Sequence, residues 1–387
     1  MAAYRALMTI VKENPSVTDK TDPGAVRERQ FAADYLEEST KSRSSVNLKN
    51  QILEGSRTFL EKSFYSEVEN AIAKNPREAQ LGGIPSTINK IRAYIRLRAA
   101  RKDLAPDGTE LQVINGDYCW ILIFYLLRCG FVEEAATYAT NDPGFRSLDA
   151  KFVTYLTTYV QDRRLRRDMQ QRVNGEYQQR LRNAPENTLD PYRMACYKII
   201  GRCDLSRRRL EGINQSVEDW MWLQFSLARE DDRAEEVAGD VFGLEDIQTD
   251  IAEIGQRVFT KGQGPDAPGG YGTFFLLQIL GGMFEQAVAY LGTYAPVTAV
   301  HFAIALAYYG LLRVSDFYTS GEEICKSRPS NADGMLPIRF SLATPILLKA
   351  LTNDSGLCSV VHGEAIPTDQ LRISHHPIHS RIPNWVR

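Results

Sequence analysis

The amino-acid sequence predicts an all-α protein built as an irregular α-solenoid of stacked helical hairpins. Two observations support this prediction. Apolar residues recur with helical spacing along most of the chain, and a unit of helix, glycine and helix occurs twice. Convincing alternation of apolar and polar residues over the length of a strand is missing. We therefore expect few strands.

The repeated unit joins a strongly apolar segment to a second helix through a glycine. The first copy contains Tyr118–Cys129 followed by Gly130, and the second copy has Gly282 at the matching position. Glycine permits a tight connection after a helix, and small alanines allow two helices to approach closely. The second helix of each copy begins with matching residues: Glu133, Ala135 and Tyr138 in the first, and Glu285, Ala287 and Tyr290 in the second.

Such a hairpin cannot bury both of its apolar faces alone, so it must stack on neighbouring helices. The two copies lie too far apart for a fixed repeat of about 34 residues. This spacing favours an irregular solenoid over a tetratricopeptide array, and a compact helical bundle remains the alternative fold.

Each of the other predicted helices has an apolar stripe, a capping residue or a residue that ends it. In chain order, they are an amphipathic helix ended by Lys12–Pro15, Arg27–Glu38, a helix with the stripe Leu60, Phe64, Val68 and Ile72 that Asn75–Pro76 ends, a helix capped by Ser86, Phe152–Val160, Tyr192–Ile200 ended by Gly201, a helix capped by Ser216, Ala299–Leu312 and Leu336–Leu351.

The chain is expected to divide into a helical solenoid over residues 1–351 and an irregular, disordered tail over residues 352–387. The tail lacks helical periodicity, whereas Leu336–Leu351 has many apolar residues and few charges. We expect this last helix to leave one apolar face uncovered, which would favour self-association or binding of a partner.

The composition is that of a folded protein with no strong charge bias. The formal net charge is −2, which predicts no overall attraction to nucleic acid or acidic membranes. The six cysteines are scattered without a CxxC pair, so a reducing compartment fits better than a disulfide framework. The N-terminal residues do not predict a signal peptide, and the longest strongly apolar stretch, Tyr118–Leu127, is too short to span a bilayer. We expect a soluble, intracellular protein without membrane insertion.

The sequence offers no convincing catalytic, cofactor-binding or metal-binding residues, and we predict a non-enzymatic protein. His375, His376 and His379 lie near Cys358 in the predicted tail, where a solvated segment is favoured over a zinc site. The loop Gly264–Gly270 lacks the Gly-Lys-Ser/Thr ending of a phosphate-binding loop. No Gly-x-Ser-x-Gly nucleophile motif occurs. His301, within a helix of Ala, Phe and Ile, is predicted to be a packing residue.

A basic run lies shortly before the middle of the chain. Leu165, Met169 and Val173 fall on one helical face, which favours a solvated, exposed position for the arginines around them. Charge-neutral replacement of these arginines is then expected to change stability little. A surface for an anionic partner is the alternative. The arginines of the run are Arg163, Arg164, Arg166, Arg167, Arg172, Arg180 and Arg182.

Five segments carry a resemblance to a known family: Trp120–Gly130, Cys196–Asp204, Glu218–Leu223, Leu276–Ala287 and Val300–Ala305. They resemble the nucleoporin-interacting-component family, the adaptor family of the inner ring of the nuclear pore. Taken together, their order and spacing resemble the family over roughly Tyr4 to Leu351.

The resemblance implies a J-shaped helical solenoid related to vesicle-coat scaffold proteins, a structural role in the nuclear pore and nuclear envelope, and a part in nucleocytoplasmic transport of protein and mRNA. Its implied partners are other nucleoporins: large inner-ring scaffold proteins, a membrane-proximal linker nucleoporin and the complex of the central channel. The family's N-terminal segment, through which the central-channel complex is recruited, and its C-terminal helical tail have no counterpart here, and Cys358–Arg387 looks unrelated to the family. A helical-repeat adaptor of a vesicle coat is the alternative function, and a helical enzyme is a third.

Overall fold

The computed structural model describes residues 2–14, 16–17, 22, 25–37, 42–83, 85–183, 190–230, 241–259 and 270–312. Within these residues the protein is mostly helical and has only two short strands, which confirms the predicted all-α class. The elements are α1 (Ala2–Val11), α2 (Ala32–Leu36), α3 (Arg43–Lys74), α4 (Pro76–Ala79), α5 (Thr87–Ala100), β1 (Val113–Ile114), β2 (Asp117–Tyr118), α6 (Cys119–Arg128), α7 (Val132–Asn141), α8 (Pro143–Asp162), α9 (Arg167–Asn183), α10 (Pro191–Gly201), α11 (Val217–Leu227), α12 (Leu244–Ile254), α13 (Gly270–Leu280), α14 (Phe284–Tyr294) and α15 (Pro296–Tyr309).

Several helices that follow one another in the chain pack together, and the chain then folds back on its first helices. Helix α6 packs against α5 and α7, α7 against α8, and α9 against α10. After α12, the chain returns so that α13 packs against α1 and α3, and α14 packs against both α13 and α15. The stacked arrangement without a constant repeat confirms the irregular α-solenoid.

The long helix α3 forms the centre of this arrangement. Its 32 residues contact α1, α5, α11 and α13, so elements distant in the sequence share one support. The Ser42 side chain accepts a hydrogen bond from the amide of Ser45 and caps the first turn. The stripe Leu60, Phe64, Val68 and Ile72 is buried, as predicted.

Helix α1 crosses α3 at a glycine. A Cβ atom added to Gly55 would lie 2.5 Å from the Cα atom of Ile10, closer than a side-chain carbon can approach a neighbouring backbone. The missing side chain therefore allows the backbones of α1 and α3 to meet directly, and Ile10 is almost fully buried there.

Both predicted helix–glycine–helix hairpins are present, as α6–α7 and α13–α14. Gly130 has φ +83° and Gly282 has φ +69°, the left-handed conformation that glycine adopts without strain. After α6, the amide of Gly130 donates to the carbonyl of Leu127, and the amide of Phe131 donates to that of Leu126. These two bonds form a Schellman end, and the glycine reverses the chain into α7.

The second predicted helix, Arg27–Glu38, is shorter in the structure and covers Ala32–Leu36. The preceding residues instead form hydrogen bonds to the end of α15. The amide of Arg29 donates to the carbonyl of Tyr308 at 2.6 Å, and that of Phe31 donates to Tyr309 at 3.0 Å. Carbonyls at a helix end need such partners, so a tertiary contact replaces the expected local helix.

Helix α10 ends at Gly201, as predicted, and the left-handed residue that follows it is Arg202, with φ +50°. Gly201 belongs to the helix and provides space for α9. A Cβ atom at Gly201 would lie 2.3 Å from Cγ1 of Val173. The predicted helix Leu336–Leu351 and tail 352–387 lie outside the described residues.

A matched pair of glycine variants tests the close packing at the α6–α7 turn. Gly108→Ala should cost about 1–2 kcal/mol because an L-residue is strained at its φ of +84°, although nothing lies within 4 Å of the added carbon. Gly130→Ala has the same backbone strain and also places its carbon 2.6 Å from Oε2 of Glu61. We expect roughly 2 kcal/mol of further loss in the free energy of unfolding, measured by urea denaturation. Equal losses for the two variants would show that the contact with Glu61 is unimportant.

Candidate interaction surfaces

A buried arginine joins three helices at the centre of the molecule. Arg128, at the end of α6, is only 1% exposed. Its Nε donates to the carboxylate of Asp219 on α11 at 2.8 Å, and its Nη1 donates to the carbonyl of Leu60 on α3 at 3.0 Å. The guanidinium also lies 4.3 Å from the ring of Phe64 and 5.2 Å from that of Trp222. Hydrogen bonds and ring contacts together offset the cost of burying this charge.

A buried acid next to Leu60 on α3 forms a second connection between helices. Glu61 on α3 is 4% exposed, and its carboxylate accepts a hydrogen bond from Arg163 at 2.6 Å. The nearest contact from Arg57 is 3.7 Å, and the indole of Trp222 donates to Glu61 at 3.4 Å. Arg163 also donates to the carbonyl of Gly130 at 3.0 Å. This network fixes the end of α8 and the α6–α7 turn against α3.

The predicted solvated position is therefore wrong for Arg163. This residue ends α8 in the left-handed conformation, with φ +52°, which turns its side chain inward towards Glu61. The sequence pattern predicted the apolar stripe of the following helix correctly, because Leu165 and Val173 are buried and Met169 is partly buried. The pattern does not show that the turn before this helix directs Arg163 towards the buried Glu61.

A charged cleft of 380 Å³ lies between α8, α9 and α10. Asp149, where α8 is kinked, accepts hydrogen bonds from Arg193 at 2.7 Å and from the hydroxyl of Tyr197 at 2.8 Å. Arg180 lies 3.4 Å from the same carboxylate, and its guanidinium covers the ring of Tyr197 at 4.3 Å. Arg180 is thus a second exception to the predicted solvated face. The opposite charges of this cleft pair with each other and hold three helices together.

The remaining arginines of the basic run lie on the surface, as predicted. Arg166 and Arg167 precede and begin α9, and Arg172 and Arg182 lie along it; all four are exposed. In the described part of the chain none of these four forms an ion pair with an acidic side chain. Arg164 is exposed as well. The outer side of α9 is therefore a basic surface.

An uncharged surface lies along α14 and α15. From Gln286 to Leu312, the sequence contains no Asp, Glu, Lys or Arg. Tyr294 is 38% exposed, Val297 54% and Ile304 59%. His301 is also exposed, so the prediction that it is a packing residue is wrong. The pattern of α15 does not show which apolar side faces inward, because almost every residue of the helix is apolar.

The four cysteines within the described residues behave as small apolar residues. Cys119, Cys129, Cys196 and Cys203 are all buried and unpaired. Burial raises the pKa of the Cys119 thiol to about 12, and it also raises the pKa of the thiols of Cys129, Cys196 and Cys203. At neutral pH these thiols are protonated, and a protonated thiol is a poor nucleophile and metal ligand.

Within the described residues, no group of three or more His, Cys, Asp or Glu side chains could hold a metal ion. The candidate ligands His375, His376, His379 and Cys358, and the loop residues 264–269, lie outside that part of the chain. None of the helices in the described ranges combines the length and apolar character needed to cross a membrane.

The sequence analysis missed the buried charges that organise the molecule. Glu61 directly follows Leu60 and lies three residues before Phe64, within the apolar stripe of α3. Arg128 ends an otherwise apolar helix, of which all ten residues are buried. In both cases a charged residue occupies a position that helical spacing predicts to be buried. This conflict indicates a buried ion pair.

Comparison with known proteins gives consistent results. The protein-family model Nup93/Nic96 matches residues 1–342. Nucleoporin NIC96 of Chaetomium thermophilum is 54% identical over 325 residues, which cover 83% of this chain and 29% of the relative. Nucleoporin NIC96 of Saccharomyces cerevisiae is 32% identical over 285 residues, which cover 72% of this chain and 32% of the relative.

Two further relatives extend the comparison. The meiotically up-regulated gene 87 protein of Schizosaccharomyces pombe is 35% identical over 340 residues, covering 86% of this chain and 38% of the relative. The crystal structure of Chaetomium thermophilum Nic96 SOL superimposes with a TM-score of 0.76 at 55% identity, covering 83% of this chain and 45% of that one. The chain spans about a third of the length of the curated relatives it matches.

A pair of arginine variants tests the difference between core and surface within the basic run. Arg163→Gln should lower the free energy of unfolding by about 2–4 kcal/mol, because Glu61 stays buried without its closest cation. Arg167→Gln, the matched control, should change it by less than about 0.5 kcal/mol. Urea denaturation of both variants measures the difference, and a neutral effect of Arg163→Gln would contradict the role assigned to the Glu61 network.

The burial of the thiols predicts their reactivity. Of the six cysteines, the four described ones should resist a disulfide reagent such as DTNB at pH 8 in the folded protein, because their thiols are buried and protonated. All six should react once the protein is unfolded in urea. Rapid modification of more than two thiols in the native state would contradict the packing of α6 and α10.

Proposed function

The chain belongs to the Nup93/Nic96 family, and we propose that it is a structural scaffold and adaptor component of the inner ring of the nuclear pore complex. The observation that supports this most strongly is the extended identity with nucleoporin NIC96 over most of the chain. The proposal locates the protein at the nuclear envelope. There it would support pore assembly and nucleocytoplasmic transport through contacts with other proteins.

The internal construction of the molecule suits a scaffold. Arg128 and Glu61 each connect the central helix α3 to helices far along the chain. Removing one partner of such a buried pair is strongly destabilising, so these connections disfavour alternative arrangements of the helices. A stack that keeps its geometry presents its exposed surfaces at fixed distances, as a structural component of a large assembly requires.

The proposal includes the absence of enzymatic activity. The acids Glu61 and Asp149 are buried, and their carboxylates accept hydrogen bonds from arginines of the same chain. The described thiols are buried and protonated. These groups stabilise the fold and offer no exposed pair of acid and base to a substrate.

The proposed partners are other nucleoporins. We propose contacts with large inner-ring scaffold proteins, with a membrane-proximal linker nucleoporin and with the complex of the central channel. Direct binding to nucleic acid and direct membrane insertion are not part of the proposal.

Localisation in cells tests the function. A fluorescently tagged chain should mark the nuclear rim in a punctate pattern and should co-purify with other nucleoporins. Gly108→Ala, a change at an exposed turn, should behave in the same way, whereas Arg128→Ala should lose the rim signal because it breaks the core. Cytoplasmic vesicle puncta formed by the intact chain would instead support the alternative, a vesicle-coat adaptor, and would overturn the proposal.

A further inference from the structure

Four exposed arginines lie along α9 and just before it, and we call them the arginine face: Arg166, Arg167, Arg172 and Arg182. We propose that the arginine face binds an acidic segment of a partner polypeptide, an inference that rests on the proposed scaffold function and assigns one of its contact surfaces. Its support comes from how α9 is anchored, from where the neighbouring acids point and from the chemistry of the side chains.

Helix α9 is attached to the molecule by one narrow side only. Of its 17 residues, only Val173 and Tyr177 are buried, and Leu165 in the preceding turn extends the same stripe. Gly201 allows α10 to approach this stripe closely. The opposite side of α9 faces outward along its whole length, so it can accept a partner without disturbing the core.

The acids near α9 do not neutralise the arginine face. Glu176 lies on the inner side, where its carboxylate accepts a hydrogen bond from Tyr155 at 3.0 Å and lies 3.5 Å from Arg180. Asp149 is also turned inward and pairs with Arg180 and Arg193. Asp168 is the one exposed acid of α9 itself. Four arginines against this one exposed acid leave the surface with a net positive charge, although the whole chain has a formal net charge of −2.

The side chains of this surface suit carboxylates. All seven basic residues from Arg163 to Arg182 are arginines and none is lysine. A guanidinium can hold a carboxylate through two parallel hydrogen bonds, which lysine cannot do. Gln171 and Gln179 are exposed on the same helix and add amide donors and acceptors. Leu181, 39% exposed, adds an apolar contact at the C-terminal end.

The same surface is poorly suited to nucleic acid. Single strands bind strongly where aromatic rings are available for the bases to stack on. Tyr177 is the one aromatic residue of α9, and its side chain is only 6% exposed because it faces the core. The charge pattern without a stacking platform favours an acidic polypeptide over RNA.

Binding of a fluorescein-labelled poly-glutamate peptide to the purified full chain tests the inference, with fluorescence anisotropy at low ionic strength as the readout. The test variant replaces each residue of the arginine face by glutamine: Arg166→Gln, Arg167→Gln, Arg172→Gln and Arg182→Gln. The matched control removes the same charge from exposed arginines elsewhere: Arg5→Gln, Arg77→Gln, Arg101→Gln and Arg209→Gln. Equal melting temperatures of the three proteins exclude an effect of folding.

We expect the dissociation constant of the test variant to rise by about tenfold and that of the control by less than about twofold. Equal weakening in both variants would show that only net charge matters and would overturn the inference, as would no binding by the unchanged chain. An oligouridine RNA that binds more tightly than the peptide, resists physiological salt and requires the arginine face would overturn it as well.

Failure of the peptide-binding test can be distinguished from failure of the proposed scaffold function. The test variant should still reach the nuclear rim if other surfaces contribute to assembly, because the arginine face is only one of them. Absence of the unchanged chain from the nuclear rim would reject the scaffold function, whatever the peptide measurement shows. Failure of the peptide measurement alone, with the rim signal intact, would reject the arginine face as the binding surface.

Discussion

A carboxylate buried in the centre of α3 is the constraint on which the rest of the fold depends. Burying the carboxyl group of Glu61 at 4% exposure is costly unless cations and polar hydrogens surround it. Arg163 supplies the closest cation, and the missing side chain of Gly130 leaves room for the carboxylate at the α6–α7 turn. The position of the turn, the end of α8 and the direction of α3 are thus set together.

Arg128 and Asp149 extend the same principle to the neighbouring helices. Arg128 connects α6 to α3 and α11, and Asp149 connects the kink of α8 to α9 and α10. Apolar contacts alone would tolerate sliding of one helix along another, whereas each of these hydrogen bonds can form at only one relative position of the two helices. A solenoid built in this way keeps its shape, which suits membership of a family of pore components.

The outer surfaces differ in character because the inner charges are already paired. The side of α9 turned to solvent retains arginines without acidic partners, and the side of α15 turned to solvent has no charge at all. The former is suited to a charged partner and the latter is apolar. A scaffold with two chemically distinct surfaces on one rigid stack can hold different neighbours at different places.

The sequence by itself determined most of the helices, the caps Ser86 and Ser216 and the two glycine hairpins, because these depend on residues within about one turn of each other. It also identified the stripe that anchors α9. Only the tertiary structure decided that Arg163 turns inward to Glu61, which is 102 residues away in the sequence, and that residues before α2 cap α15 rather than continue a helix. The same holds for His301, whose helix is apolar on every side, so that its neighbours alone decide which face is buried. Local periodicity fixes which residues share a face, whereas the partner of that face depends on contacts between distant parts of the chain.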